Sequence, residues 1–282
     1  MDYLQTIILS IVEGITEFLP ISSTAHMKIT NPLIGVTPDT FNDMFEIVVQ
    51  LAAIAAVVVL YYKKFFDFKK VFFYFKLVLA VIPAVIGGYF LKKHIDASLA
   101  NLNSIAIIMI AGGVILLFVD NFFKEPQVNT ESKITYQQSF IIGCFQVLSI
   151  VFPGLSRSAA TIVGGMSQGL TRRVAAEFSF FLAVPTMIAA SAKSFLDVYK
   201  EHPDVLTMDN LTKLGIGSIV AFIVALVAVK FFITYLQKHG FKVFGFYRII
   251  LGAIVLILIN KYIIFHNFPT ILNFLQDIPD LK

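Results

Sequence analysis

The chain has 282 residues, 57% of them hydrophobic and 14% charged, with a net charge of +4. Soluble domains carry about 25% charged residues, so a soluble domain is excluded and the chain reads as an integral membrane protein, one membrane domain over 1–282. A single cysteine, Cys144, excludes an internal disulfide and a Cys-cluster metal site. The start, Met1-Asp2-Tyr3, has no basic stretch or cleavage site and is expected to stay in the mature protein.

In chain order, segment 4–30 reads as helical but broken at Pro20. Apolar runs long enough to cross a bilayer need about 20 residues; crossings are expected near 44–61, 73–91 and 104–119, the last short unless extended at its ends. Segment 138–168 is again helical and broken, at Pro153-Gly154, and crossings follow near 176–195, 214–234 and 246–264.

The two broken segments resemble each other. Without gaps, 133 residues apart, Gln5 falls on Gln138, Glu13 on Gln146, Thr16 on Ser149, Pro20 on Pro153 and Ser23 on Ser156. Ala111-Gly112-Gly113-Val114-Ile115-Leu116 also resembles Leu251-Gly252-Ala253-Ile254-Val255-Leu256, at a different offset. Each broken segment is expected to be a re-entrant hairpin that enters and leaves on one side, with a pair of kinked crossing helices as the alternative. Three crossings after each hairpin invert the second half. The expected fold is an all-α polytopic membrane protein of two inverted-topology repeats, 1–133 and 134–282, each a re-entrant helical hairpin plus three transmembrane helices.

Lys63, Lys64, Lys69, Lys70, Lys124, Lys133, Arg172, Arg173, Lys238 and Lys242 fall in one set of loops, which the positive-inside rule makes cytoplasmic. The other set holds Lys92, Lys93, Lys200 and Lys282 among Asp2, Asp39, Asp96, Asp197, Glu201, Asp204, Asp209, Asp277 and Asp280. Both termini and the mouth of the first hairpin then face outside. Tyr61, Tyr62, Tyr74, Tyr89, Tyr199, Tyr235, Tyr247 and Tyr262 lie near the span ends, where an interfacial belt belongs.

Glu13 and Glu17 share a helix face. Two close carboxylates in a dry site share a proton or bridge a cation, and Mg2+ or Ca2+ suits oxygen donors. Ser22, Ser23 and Thr24 begin the returning half-helix, where hydroxyls cap free amides or bind an anion. His26, one turn on, is a candidate general acid or base. In the second hairpin Gly154 permits close backbone approach, Ser156 and Ser158 donate, and Arg157 presents a fork suited to phosphate oxygens. Glu17 falls on Ile150 and Arg157 on Thr24, so each half keeps a different charge. Facing tips would set an acidic pair against a phosphate clamp. Glu177 is a candidate to orient Arg157 or Arg173, or to form a structural ion pair; Glu46 and Gln50 are weaker candidates.

Glu13-Gly-Ile-Thr-Glu-Phe-Leu-Pro-Ile-Ser-Ser-Thr-Ala-His26 and Pro153-Gly-Leu-Ser-Arg-Ser-Ala-Ala-Thr161 resemble the signature motifs of the undecaprenyl-diphosphatase, or bacitracin-resistance, family, and Glu177-Phe-Ser-Phe-Phe-Leu-Ala-Val-Pro185 is similar to a third stretch. The resemblance covers essentially the whole chain. It implies a multi-pass enzyme of the bacterial cytoplasmic (inner) membrane that hydrolyses undecaprenyl diphosphate to the monophosphate, recycles the lipid carrier for peptidoglycan, uses a divalent metal and confers bacitracin resistance. It assigns metal binding to Glu13 and Glu17, catalysis to Glu17, Ser23, His26 and Arg157, and diphosphate binding to Ser22, Thr24, Gly154, Ser156, Ser158 and Thr161. Ala25 departs from a commonly seen glycine. The nucleophile is Ser23 or a water. The partners expected are the polyprenyl diphosphate and membrane lipids, with no nucleic acid and with room for a homodimer. The competing class is an inverted-repeat transporter or flippase of a phosphorylated lipid. A second lipid phosphatase superfamily fails on motif, because Val163 stands where its Ser-Arg signature needs histidine.

Overall fold

In a computed structural model the chain is described over residues 1–67, 71–91 and 101–276, from residue 260 by backbone alone. Lys69, Lys70, Lys92, Lys93, Asp96, Asp277, Asp280, Lys282 and the Tyr262 side chain, all used in the loop and belt readings, lie outside the described residues. The described part is helical: α1 Tyr3–Thr16, α2 Ser23–Leu33, α3 Thr40–Leu60, α4 Val71–Phe90, α5 Leu102–Phe122, α6 Tyr136–Val151, α7 Arg157–Ser167, α8 Arg172–Glu201, α9 Met208–His239 and α10 Lys242–Gln276. Among the described residues the one β contact is an isolated bridge between Val128 and Leu170.

Among the described residues six helices are long and apolar enough to cross a membrane: α3, α4, α5, α8, α9 and the Lys242–Ile259 part of α10. They coincide with the six expected crossings. The short run at 104–119 is lengthened at both ends, and α10 runs on past 264. On α9, Ile219, Ile223, Val227 and Phe231 recur every fourth residue and are exposed, one apolar face with no protein against it. Such a face belongs in hydrocarbon. The chain is a multi-pass membrane protein.

Matching local devices start the two halves. Asp2 and Gln5 form a capping box on α1, and Thr135 and Gln138 form one on α6. Gln5 Nε2 donates to Ile34 O at 2.9 Å, closing the first hairpin; Gln138 Nε2 donates to Gln168 O at 2.8 Å, closing the second. Lys213 of α9 lies over the Tyr3 ring at 5.4 Å, and Lys76 of α4 over the Tyr136 ring at 5.8 Å. Accordingly α1 packs along α9 and α6 along α4, while α5 packs against α10. At that last crossing Gly113 and Gly245 meet face to face, and a Cβ on either would lie 2.8 Å from the other's carbonyl. This pairing has a different offset from the glycine match read in the sequence.

α8 is the central helix, buried along most of its first half. Phe18, at the first hairpin tip, meets Phe180 of α8 edge-on at 5.0 Å, and Phe180 packs on Phe232 of α9 at 5.9 Å. Phe73 of α4 closes the other side against Phe178 and Phe181. These rings fix the first hairpin tip, α9 and α4 against one central helix.

Candidate active site

Both hairpins turn through strained serines. α1 gives way at Glu17, and Pro20 follows; Ser22 then adopts φ +72° and caps α2 by accepting from Ala25 N at 3.3 Å. In the second hairpin Gly154 takes φ +99°, and Ser156, at φ +75°, caps α7 by accepting from Ala159 N at 3.3 Å. A Cβ at Gly154 would sit 2.7 Å from Ile105 O, so only glycine fits. Non-glycine residues at positive φ are uncommon and cluster at functional sites.

This geometry corrects the gapless alignment. The cap equivalent to Ser156 is Ser22, not Ser23, because the span from Thr135 to Ser156 is one residue longer than that from Asp2 to Ser22. Arg157 therefore occupies the place of Ser23, and Ser158 that of Thr24. Ser23 and Arg157, each first in its half-helix, converge on one carboxylate. Ser23 Oγ donates to Glu17 Oε2 at 2.5 Å, and Arg157 Nη2 donates to Glu17 Oε1 at 2.6 Å. Glu17 and Ser23 are buried, and the Arg157 side chain is 14% exposed. The motif residues of the two halves, 140 positions apart, thus form one centre.

Around it the remaining candidates brace the tips. Ser158 Oγ donates to Leu19 O at 2.9 Å, tying the second tip to the first. Ser156 Oγ and Ser158 Oγ are 3.0 Å apart. Thr161 Oγ1 donates to Arg157 O at 2.8 Å and lies 2.6 Å from Ser179 Oγ, while Arg157 Nη1 reaches Ser179 O at 3.4 Å. Thr24 is half-buried on the first turn of α2.

His26 is placed otherwise than expected. Its Nδ1 lies 2.7 Å from Ser22 O, which can only accept, so Nδ1 carries the proton. Nε2, 2.7 Å from Tyr247 Oη, then accepts from that hydroxyl, and the two rings are parallel within 4°. Ser23 is engaged by Glu17, not by His26. Tyr247, read as a belt tyrosine, is therefore a partner of the site.

Glu177 accepts from Lys64 at 2.7 Å and Arg173 at 2.9 Å, and Lys64 also donates to Glu131 at 2.7 Å. It forms a structural network and leaves Arg157 to Glu17. Glu46 accepts from Asn31 at 2.7 Å and pairs with Lys28 at 3.2 Å. Gln50 is half-buried one turn further along α3.

Sequence reasoning missed Arg248 and Ser179. Arg248, wholly buried, is the strut of the site. Its guanidinium donates to Pro20 O of the first tip at 3.1 Å and to Gly154 O and Leu155 O of the second at 2.8 and 2.7 Å. It also donates to Met109 O at 3.2 Å and Ile108 O at 3.4 Å on α5. Gly112 makes the room, since a Cβ there would collide with the guanidinium. The signal was present: an arginine inside an apolar run is expensive and seldom idle.

Glu13 is fully buried, and neither carboxylate oxygen has a hydrogen-bond partner among the described residues. It interacts electrostatically with Glu17 and Glu46. An orphaned buried carboxylate beside a second one fits a divalent cation. Among the described residues no third His, Cys, Asp or Glu completes a cluster.

A family model described as "Bacitracin resistance protein BacA" matches residues 6–254. The chain belongs to this family. A protein of Flavobacterium psychrophilum named undecaprenyl-diphosphatase is 53% identical over 263 residues, 93% of this chain and 98% of the relative. Proteins of the same name from Porphyromonas gingivalis and Desulfitobacterium hafniense are 45% identical over 274 residues and 43% over 270. The first covers 92% of this chain and 97% of the relative, the second 91% and 96%.

Proposed function

We propose that this protein is an integral-membrane undecaprenyl-diphosphatase that hydrolyses undecaprenyl diphosphate to undecaprenyl phosphate and inorganic phosphate. The Ser23–Glu17–Arg157 constellation carries the proposal. Ser23 Oγ already points its proton at Glu17 Oε2, at 2.5 Å, as a hydroxyl nucleophile and its base must. That contact favours serine over water as the attacking group. Ser23 Oγ bonds to the terminal phosphorus, Glu17 takes the proton, the bridging P–O bond breaks, and the lipid monophosphate leaves. Glu17 passes that proton to the departing lipid phosphate and is restored as base; water then attacks the phosphoserine, Glu17 takes the water proton and returns it to Ser23 Oγ, and inorganic phosphate leaves. Arg157, preorganised by Glu17 and Ser179, supplies the planar cation for the transferring phosphoryl oxygens. Ser22, Thr24, Gly154, Ser156, Ser158 and Thr161 shape and brace the head-group site between the tips. His26, held by Ser22 and Tyr247, is a proton carrier beside it. The polyprenyl chain stays in the bilayer. Hydrolysis removes the diphosphate that bacitracin sequesters, which accounts for resistance, and it returns the carrier to wall synthesis.

Glu13 and Glu17 are the residues to hold a divalent cation, Mg2+ or Ca2+, which would neutralise phosphate charge when bound. Chelator should abolish phosphate release by protein purified in detergent, and added Mg2+ or Ca2+ should restore it; full turnover in excess chelator would remove the metal from the proposal. The same assay separates phosphatase from carrier. A transporter without hydrolytic activity releases no phosphate from the lipid.

The site opens to the outside of the bacterial cytoplasmic membrane if the halves are inverted repeats and the hairpins re-entrant. The paired capping boxes, the paired lysine–tyrosine contacts and the converging tips support this reading. After replacement of Cys144, a cysteine placed at Thr37 should react with an impermeant thiol reagent on intact cells, and one placed at Asn129 should not. The reverse pattern, or labelling of both, would contradict the topology.

A further inference from the structure

Away from the catalytic centre, on the lysine- and arginine-rich face, a cavity of about 440 Å³ lies where α5 and α7 end, α8 starts and α9 finishes. A neighbouring hollow of about 230 Å³ shares Lys124 and Met166 with it. Their common wall is built rather than loose. Gln127 N and Val128 N both donate to Gly169 O at 2.9 Å, and Thr171 N donates to Val128 O at 3.0 Å, locking the stretch after α5 to the turn after α7.

The lining is basic. Lys124, Arg172 and Arg173 contribute cations, and Gln237 adds a neutral amide. Asp120 is the one acid lining the larger cavity, and its oxygens are committed: Oδ1 accepts from Arg172 Nε at 2.7 Å and Oδ2 from Phe241 N at 2.8 Å; the exposed Glu125 lines the smaller hollow, where Lys124 is its basic neighbour. Arg172 is thereby held by one edge, leaving its terminal amino groups to the cavity. Arg173 is held likewise by Glu177, through Nε at 2.9 Å. Beside this opening α5 turns an apolar stripe outward: Phe122, 78% exposed, lines the smaller hollow, and Phe118 and Ile115 follow at helical spacing, 49% and 53% exposed. Cations at the end of a hydrocarbon-facing stripe match a charged head and an acyl tail together.

We propose that this cavity binds the phosphate head group of an anionic phospholipid from the leaflet on that side, with an acyl chain lying along Ile115, Phe118 and Phe122. Phosphate is the shared chemistry of such a lipid and of free inorganic phosphate, and the apolar stripe favours the lipid. The site is separate from the Glu17–Ser23–Arg157 centre and does not depend on the proposed activity.

The test is lipid retention by the full-length protein, read by native mass spectrometry after exchange into micelles containing phosphatidylglycerol and phosphatidylcholine. The wild type should keep phosphatidylglycerol in preference. Basic residues near a membrane surface contribute about 1 kcal/mol each, so the Lys124→Gln, Arg172→Gln double variant should lose about tenfold or more of that retention. Lys124→Gln alone, at an exposed position, keeps Asp120 paired and should show part of the loss. Lys238→Gln, on the same face but outside the cavity, should behave as wild type. Equal retention by wild type and the double variant, or an equal loss in Lys238→Gln, would overturn the site. Inorganic phosphate in excess should leave the lipid bound; its displacement would mark a free-anion site and overturn the lipid assignment.

Discussion

Glu17→Gln should lower phosphate release by about 10³-fold or more, within the range for losing a general base. Two functions go at once, besides the share of Glu17 in holding a divalent cation. The amide cannot take the Ser23 proton, now donated at 2.5 Å, and it cannot neutralise Arg157, now 2.6 Å away. Arg157 would then sit half-buried without a charge partner and swing toward the substrate, so KM should fall or hold while kcat collapses. Glu13→Gln, by contrast, touches neither Ser23 nor Arg157 by hydrogen bond and should mainly raise the metal concentration required. Folded Glu17→Gln protein that turns over within tenfold of wild type would remove Glu17 from the proton transfer.

Arg248→Met should do comparable damage by a different route. The methionine fills similar volume but leaves three tip carbonyl oxygens, those of Pro20, Gly154 and Leu155, without this donor; Ile108 and Met109, inside α5, keep their helical partners. Each buried unsatisfied polar group costs about 1–3 kcal/mol, so the tips should relax apart rather than stay in place. The expected result is a lowered unfolding temperature in detergent and at least about 10²-fold less phosphate release from the folded fraction. An ammonium has three donors and no planar fork, so Arg248→Lys should recover only part of either. Normal stability and turnover in Arg248→Met would show that the tips are held by the serines and aromatic rings alone.

Much of this was legible in the sequence. The six crossings follow from apolar length. The two motif tips are marked by proline, serine and charge in surroundings that forbid them unless they serve a purpose. Glu17, Ser23 and Arg157 were all named from that contrast. What escaped is what one-dimensional spacing cannot carry. Arg248 lies two residues into the last expected crossing, where an arginine reads as the end of a span; its acceptors are backbone carbonyls, which have no sequence signature. Ser179 contributes its carbonyl as much as its hydroxyl and looks like any small residue in a central helix. The partner of His26, Tyr247, is 221 residues away, and no spacing along the chain marks it. The one-residue difference between the hairpins, cap to cap, is invisible without the geometry at Ser22 and Ser156.

Pro20 and Arg248 are 228 residues apart in the chain. At roughly 5–20 residues per second of synthesis, the first tip waits about 10–45 s for the guanidinium that secures its carbonyl. Ser23 and Glu17 are made well before Arg248, the residue that secures the tip carrying them. On the proposed mechanism, a chain truncated before residue 248 should insert into the membrane without acquiring a working centre.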